Sequence, residues 1–150
     1  MLRGRLEHLT ALLVADPSLV DWRFPELDFG ATGGRMLTLR GATLLHVAAE
    51  YGNLDASKLL LDRGAAVNAR AAIHRQTPIF HAATQPNDAG LPTVRFLVER
   101  GADLSVRARV PGPCERPGET VECTPLGYAL LFAGPECQTA AFRRKQGGIE

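Results

Sequence analysis

The chain has 150 residues, a formal net charge of +1 and 45% hydrophobic residues. A chain of this length forms one domain that buries roughly 70% of its unfolded surface, and its apolar content excludes an intrinsically disordered protein. With 17 basic and 16 acidic residues, it has no broad field to attract nucleic acid or anionic lipid, and no segment approaches the ~20 apolar residues of a membrane span.

The first predicted element is a helix near the N-terminus. Leu6, Leu9 and Leu13 recur at helical spacing, and Asp16 followed by Pro17 predicts the end of this helix. The basic start and short apolar run also resemble a signal peptide. Because residues 12–23 are similar to later helices in the chain, the sequence favours a capping helix and a cytoplasmic protein.

Two sequence strings then alternate along the chain. Thr-Leu-Leu-His-Val-Ala-Ala at 43–49 recurs in altered form at 77–83 and 124–130, and a second string occurs at 12–23, 59–70 and 96–107. A period of about 33 residues, interrupted by insertions, explains the spacings of both strings. Two strings that share a period indicate one supersecondary unit used several times.

The residues at the ends of these strings predict where helices begin and end. Thr43 can accept a hydrogen bond from a free backbone N–H, and His46, three residues later, can reach back toward it. A proline follows the equivalent threonine in both later copies, where a helix tolerates it well. Gly64 and Gly101 follow apolar runs of helical length, and we expect them to be left-handed helix caps.

These residues resemble the ankyrin repeat family. Residues 41–70 match its consensus most fully, at Thr43, Leu45, His46, Ala48, Ala49, Gly52, Gly64, Ala65 and Asn68. The resemblance implies an all-α solenoid of helix-turn-helix units joined by β-hairpin fingers, two of them extended. The implied units are an N-terminal partial repeat at 4–23, repeats at 41–73 and 74–109, and a C-terminal partial repeat at 124–146.

Three connections, which we call the fingers, join these units at 22–40, 71–76 and 105–123. The two long fingers carry apolar residues on both sides of a Gly-rich or Pro/Gly-rich tip, which predicts hairpins. In the last finger Arg107 and Arg109 oppose Glu119 and Glu122, and such cross-strand pairs mainly set the register. Two interpretations remain open: tolerated surface insertions, or arms that widen a binding surface.

The sequence carries no catalytic constellation. His46 is assigned to a cap, and neither it nor His81 has an Asp or Glu at a spacing that would orient it as a base. Cys114 and Cys123 flank the last finger, but their eight-residue gap is unlike the two to four residues of zinc pairs. Three cysteines are consistent with free thiols in a reducing compartment. We therefore expect no enzyme activity, no cofactor and no metal.

The family resemblance implies that partner contacts come from the finger tips and from the exposed ends of the first helices. Arg75 stands where the family places a turn glycine. The partner-binding residues implied in this chain are Glu50, Tyr51, Ile73, His74, Arg75, Gln76, Thr84, Gln85, Leu131 and Phe132.

We expect a free-standing monomeric adaptor or inhibitor that binds an unidentified partner protein. Two alternatives remain open. One is a ligand- or metal-sensing protein that uses the finger carrying Cys114 and Cys123, and the other is a structural stub whose repeats bind nothing.

Overall fold

The computed structural model describes residues 2–25, 28–32, 35–38, 40–72, 74–85, 89–111 and 120–131. These residues form six α-helices, one short 3₁₀ helix at Pro17–Asp21 and four β-strands. The helices are α1 (Leu2–Ala15), α2 (Leu44–Glu50), α3 (Leu54–Asp62), α4 (Pro78–Ala82), α5 (Leu91–Glu99) and α6 (Pro125–Leu131). The strands are β1 (Asp28–Thr32), β2 (Arg35–Thr38), β3 (Ala108–Pro111) and β4 (Thr120–Cys123).

The helices stack as a solenoid in two rows. In the first-helix row α2 packs against α4 and α4 against α6, while in the second-helix row α1 packs against α3 and α3 against α5. Each first helix also contacts the second helix of its own unit, α2 with α3 and α4 with α5. The core lies between the rows, where the largest fully buried apolar side chains are Leu45, Leu60, Ile79, Phe80 and Leu97.

The predicted helix ends are confirmed. The backbone N–H of Thr43 donates to Nδ1 of His46 over 3.0 Å, so the predicted capping pair is present at the start of α2. Gly64 and Gly101 follow α3 and α5 in the left-handed region, with φ of 92° and 89°. A residue with a Cβ is disfavoured there, which explains glycine at both positions.

Helix α1 ends as the Asp16–Pro17 pair predicts. The Asp16 carboxylate accepts a hydrogen bond from the Ser18 backbone N–H over 3.0 Å and caps the 3₁₀ helix that follows. The chain therefore turns at Asp16 without the left-handed glycine that ends the later second helices.

Backbone hydrogen bonds join the bases of the fingers into a ribbon. The N–H of Phe24 donates to the Ala42 carbonyl over 2.9 Å, and the N–H of Ala72 donates to the Arg40 carbonyl over 3.1 Å. Arg23 adds a side-chain link, since its Nη1 donates to the carbonyls of Gly41 at 2.7 Å and Arg70 at 2.8 Å. These bonds hold neighbouring units at a fixed spacing.

Both long fingers contain a two-stranded antiparallel ladder, and their tips lie outside the described residues. Strand β1 pairs with β2 from Asp28↔Thr38 to Thr32↔Arg35, with an irregularity in register between. Strand β3 pairs with β4 from Ala108↔Cys123 to Pro111↔Thr120. One face of β3 is buried through Ala108 and Val110, so the last finger is anchored to the core.

The predicted charge pairing in the last finger is present in part. Arg107 Nε lies 3.5 Å from Glu122 Oε1, and both side chains are exposed. Arg109 is the register partner of Glu122, whereas Glu119 lies outside the described residues. Across the described ranges, no helix is both long and apolar enough to pass through a membrane.

Candidate partner-binding surface

Tyr51 is the implied partner-binding residue with the largest measured exposure among the described residues. It follows α2 directly and is 65% exposed. Gly52 then turns the chain toward α3 with a φ of 59°. An aromatic ring is therefore presented to solvent at the end of a first helix.

Glu50, the residue before Tyr51, is engaged inside the solenoid. Its Oε2 lies 2.8 Å from Nδ1 of His81 on α4, and the two side chains are 16% and 10% exposed. This contact corrects the expectation that no carboxylate orients His81. The two residues belong to different repeats, so only the stacking of α2 on α4 brings them together.

His81 also contacts a second histidine. Its ring meets that of His46 edge to face, with centroids 5.5 Å apart and an interplanar angle of 83°. His81 is almost fully buried. The arrangement locks α2 to α4 and leaves His81 little access to a substrate.

His46 has a structural role. Its Nε2 lies 3.1 Å from the carbonyl of Gln76, and its Nδ1 accepts from Thr43. Burial lowers the pKa of His46 from 6.5 to about 3, with nearby His81 and Arg23 acting in the same direction. The imidazole is therefore neutral near pH 7, and its Nε2–H donates to Gln76.

The short finger is closed by the Ala71 N–H, which donates to the Gln76 carbonyl over 2.9 Å. Arg75 adopts a φ of 58°, close to the 67° of Gly41 in the preceding unit. The arginine thus takes the left-handed conformation of the family's turn glycine and holds its side chain exposed. His74 is half-buried, and this burial lowers its pKa.

Gln76 and Thr84 do not belong to the exposed surface. Their exposures are 7% and 2%, which corrects the expectation that these positions face a partner. Helix α4 is flanked by α2 and α6 and packs on α5, so its end and the base of its finger are enclosed. Gln85 is half-buried and donates from Nε2 to the His81 carbonyl over 3.2 Å.

The remaining implied residues are only partly placed. Leu131 is the last residue of α6, while Ile73 and Phe132 lie outside the described residues. Cys114 lies outside them as well. Cys123 is a buried free thiol whose pKa burial raises to about 11, and in the described ranges no group of three His, Cys, Asp or Glu could hold a metal ion.

The structure also contains a groove that sequence reasoning missed. It has a volume of about 820 Å³ and lies between α1, α2 and α3, with Leu9, Leu44, Val47, Tyr51 and Leu60 in its lining. No local pattern in the sequence indicated this groove, because it depends on how three helices pack together.

Residues 3–108 match the family model for ankyrin repeats (3 copies). The chain is 33% identical over 116 residues to NF-kappa-B inhibitor zeta of Mus musculus, a match that covers 70% of this chain and 15% of that protein. It is 30% identical over 87 residues to BRCA1-associated RING domain protein 1 of Caenorhabditis elegans, covering 57% of this chain and 12% of that protein. The chain thus corresponds to a small part of either relative.

Proposed function

Because the chain belongs to the ankyrin repeat family, we propose that it is a non-catalytic interaction module that binds a partner protein through its fingers and the exposed ends of its first helices. The observation that carries this proposal is the exposure of Tyr51 and Arg75 on a packed solenoid. Tyrosine and arginine are enriched among the residues that dominate binding energy at protein interfaces.

The chemistry of the buried groups supports the same conclusion. His46 is held neutral in a helix cap, and His81 is enclosed between repeats against Glu50. Both histidines therefore have structural roles. The outward-facing residues are the part of the described surface that can determine which partner binds.

The names of the relatives add support. One describes an inhibitor of NF-kappa-B and the other a protein associated with BRCA1, so both describe proteins that act through other proteins. For this chain the partner is an unidentified protein, bound by a monomer in the cytoplasm. The free thiol of Cys123 is consistent with that reducing compartment.

The long fingers widen this surface in the proposal. Strand β3 is anchored by buried Val110 while Arg107 and Arg109 face outward. The backbone of such an anchored strand loses little conformational freedom when a partner binds, which favours affinity. We also propose that the repeats occupy residues 4–23, 41–73, 74–109 and 124–146.

An alanine scan of a recovered complex tests the binding surface. The partner is captured on immobilised protein, identified by mass spectrometry and produced in pure form for calorimetry. We expect Tyr51→Ala and Arg75→Ala each to weaken binding at least about thirtyfold, because truncating a central aromatic or arginine commonly costs about 2 kcal/mol or more. Their melting temperatures should stay within a few degrees of wild type.

Lys58 and Arg95 provide the matched controls, since both are exposed on second helices. Their alanine variants should bind almost as well as wild type. If Lys58 and Arg95 mattered while Tyr51, Arg75 and both long fingers did not, the partner would bind the opposite side of the solenoid.

A further inference from the structure

Positive charge is concentrated on the fingers, although the chain as a whole has a net charge of only +1. Arginines recur at one aligned position in three successive units, at the end of each copy of the second string, and two more lie farther along the fingers. We call this set the arginine ribbon; it consists of Arg23, Arg70, Arg75, Arg107 and Arg109.

Backbone contacts place the three fingers side by side. The Ala72 N–H donates to the Arg40 carbonyl and joins the first finger to the second. The His74 ring hydrogen-bonds the backbone of Arg109 and joins the second finger to the third. Neighbouring strands lie about 4.7–4.9 Å apart and each finger contributes two of them, so aligned positions recur roughly every 9–10 Å across the fingers.

The arginines point away from the core. Ala69 and Ala71 are buried on either side of Arg70. Arg107 and Arg109 are exposed and alternate along the chain with buried residues, which are Val106, Ala108 and Val110. Side chains of an extended chain alternate between its two faces, so these guanidinium groups share the solvent face of the fingers. Arg75 is exposed beside buried Gln76 and lies on the same face.

Few carboxylates of the described residues compensate this charge. Glu122 is an ion-pair partner of Arg107 at 3.5 Å and also the register partner of Arg109. Arg23 spends its Nη1 on the uncharged carbonyls of Gly41 and Arg70. Several positive charges are therefore held together against one paired carboxylate on this face.

A second carboxylate, that of Asp103, lies near the base of the last finger. Its pKa is lowered chiefly by hydrogen bonds from Ser105 and further by the charge of Arg70. The Ser105 N–H and hydroxyl donate to Asp103 Oδ1 over 2.8 and 2.6 Å. Asp103 is thus committed to its own turn and offsets Arg70 only from a distance.

The rest of the chain does not carry the missing negative charge. Residues 132–150 contain the basic run Arg143, Arg144 and Lys145 against two acidic residues. The tip of the last finger contains Glu115 and Glu119, but Arg116 stands between them. Neither segment can neutralise the arginine ribbon, so the complementary charge comes from another molecule.

Extending the interaction function proposed above, we propose that the arginine ribbon binds an extended acidic segment of the partner protein. The segment runs across the three fingers and carries a carboxylate at about every third residue. A polyproline II chain rises about 3.1 Å per residue, so such carboxylates recur about every 9.3 Å, close to the spacing of the fingers. Guanidinium groups bind carboxylates through two parallel hydrogen bonds.

A nucleic acid matches this surface less well. Its phosphates repeat about every 3.4 Å along a strand of the double helix, far more closely than the fingers. A second copy of the chain is also a poor match, because it presents the same arginines. Its helices carry charges of both signs, as in the pair of Asp62 with Arg100.

The test uses the full chain and a fluorescein-labelled peptide made of four Glu-Pro-Pro triplets. Binding is followed by fluorescence anisotropy and ¹H–¹⁵N NMR at low ionic strength. We expect saturable binding with shifts at the amides of residues 70–76 and 105–111, and weaker binding at higher salt because exposed charges are screened. A peptide with glutamine in place of each glutamate should not bind.

Variants of exposed residues locate the site. Arg75→Gln and Arg109→Gln should each weaken the peptide at least about threefold, as expected for the loss of an exposed ion pair. Arg95→Gln is the matched control, since it removes the same charge from an exposed position on α5, and it should change affinity by less than about twofold. Glu122→Gln should strengthen binding, because it removes the carboxylate that competes for Arg107.

The peptide and the natural partner can fail separately. Tyr51→Ala should leave peptide binding unchanged while it weakens the recovered partner. If the peptide did not bind but Arg75→Ala still weakened that partner, the acidic segment would be wrong and the interaction module would stand.

Four outcomes would overturn the proposal. The first is the absence of saturable binding, and the second is equal loss of affinity in Arg75→Gln and Arg95→Gln. The third is tighter binding of a single-stranded oligonucleotide of the same charge, which would assign the arginines to nucleic acid. The fourth is a dimer of the free chain in sedimentation that Arg75→Gln abolishes, because a second copy would then cover the fingers.

Discussion

At the scale of single residues, His46 links helix capping to pH. Its Nδ1 accepts from the Thr43 N–H and its Nε2 donates to the Gln76 carbonyl. Protonation would turn Nδ1 into a donor that faces another donor, in a site that is 1% exposed. The folded state therefore holds the imidazole neutral.

We predict that stability falls in mild acid because of this residue. The pKa of His46 is lowered from 6.5 to about 3 by folding, so the unfolded chain binds a proton that the folded chain refuses. The contribution of neutral His46 to the free energy of unfolding is complete above pH 6.5. As the pH falls toward 3, this contribution decreases by up to about 1.4 kcal/mol per pH unit. His74, whose pKa is also lowered, acts with the same sign.

Urea unfolding between pH 7.5 and 4.5 measures this effect, with His46→Gln as the non-titrating control. Glutamine keeps a capping-box acceptor at the third helical position, so this variant should lose less stability than wild type on acidification. At pH 7.5, His46→Ala should be destabilised by about 1 kcal/mol or more. Parallel losses in wild type and His46→Gln would assign the acid sensitivity to other groups.

The backbone of Arg75 is strained, whereas that of Gly41 is not. Both lie in the left-handed region, which disfavours a residue with a Cβ. We predict that Arg75→Gly raises the free energy of unfolding by up to about 1 kcal/mol. This net figure is the relief of backbone strain in the folded state, reduced by the conformational entropy that glycine adds to the unfolded chain. Chemical denaturation measures the difference.

Gly41→Ala makes the reverse change, because it adds a Cβ at a left-handed position. A Cβ at Gly41 would lie 2.5 Å from the Cβ of Ala72, so this change should destabilise the fold clearly. If Arg75→Gly were less stable than wild type, the contacts of the arginine side chain and the unfolded-state entropy of glycine would together outweigh the backbone strain.

At the scale of elements, side chains at aligned positions join each unit to the next. Asn68 donates from Nδ2 to the Gly101 carbonyl over 3.0 Å and accepts from the Asp103 N–H over 2.9 Å. Asp21, at the aligned position of the leading unit, accepts from the Ala66 N–H over 3.4 Å. The same position thus serves as a tie in two successive units.

We predict that Asn68→Ala lowers the free energy of unfolding by about 1–3 kcal/mol, because two hydrogen bonds are lost at about 0.5–1.5 kcal/mol each. Lys58→Ala, at an exposed position of α3, should stay within about 0.5 kcal/mol of wild type. Thermal and urea unfolding of the three proteins compares them. Equal stability of Asn68→Ala and wild type would mean that the Asn68 hydrogen bonds do not stabilise the junction between the units.

The sequence predicted helices better than it predicted their surroundings. The caps at Thr43, Gly64 and Gly101 depend on local backbone chemistry, and the structure confirms them. The burial of Gln76 and Thr84 depends on neighbours on both sides of α4. A motif carried over from the family gives a position in the repeat, not the enclosure of that position.

At the scale of the whole molecule, stability comes from the stacking of neighbouring units around one core. We predict that EDTA leaves the melting temperature unchanged. A structural zinc site would contribute on the order of 10 kcal/mol to the folding free energy, so its loss would lower the melting temperature strongly. Differential scanning fluorimetry and metal analysis of the purified protein measure this. A large fall in melting temperature, or stoichiometric zinc, would favour the sensing alternative that uses Cys114 and Cys123.

The sequence by itself determined the repeat, the helix ends and the solenoid architecture, because periodicity and capping are written in residues close together in the chain. Tertiary structure alone decided that Glu50 meets His81, since this contact depends on how two repeats stack. It also decided that a groove opens beside α2. The shape of a groove between three helices depends on how those helices pack, which local sequence patterns do not record.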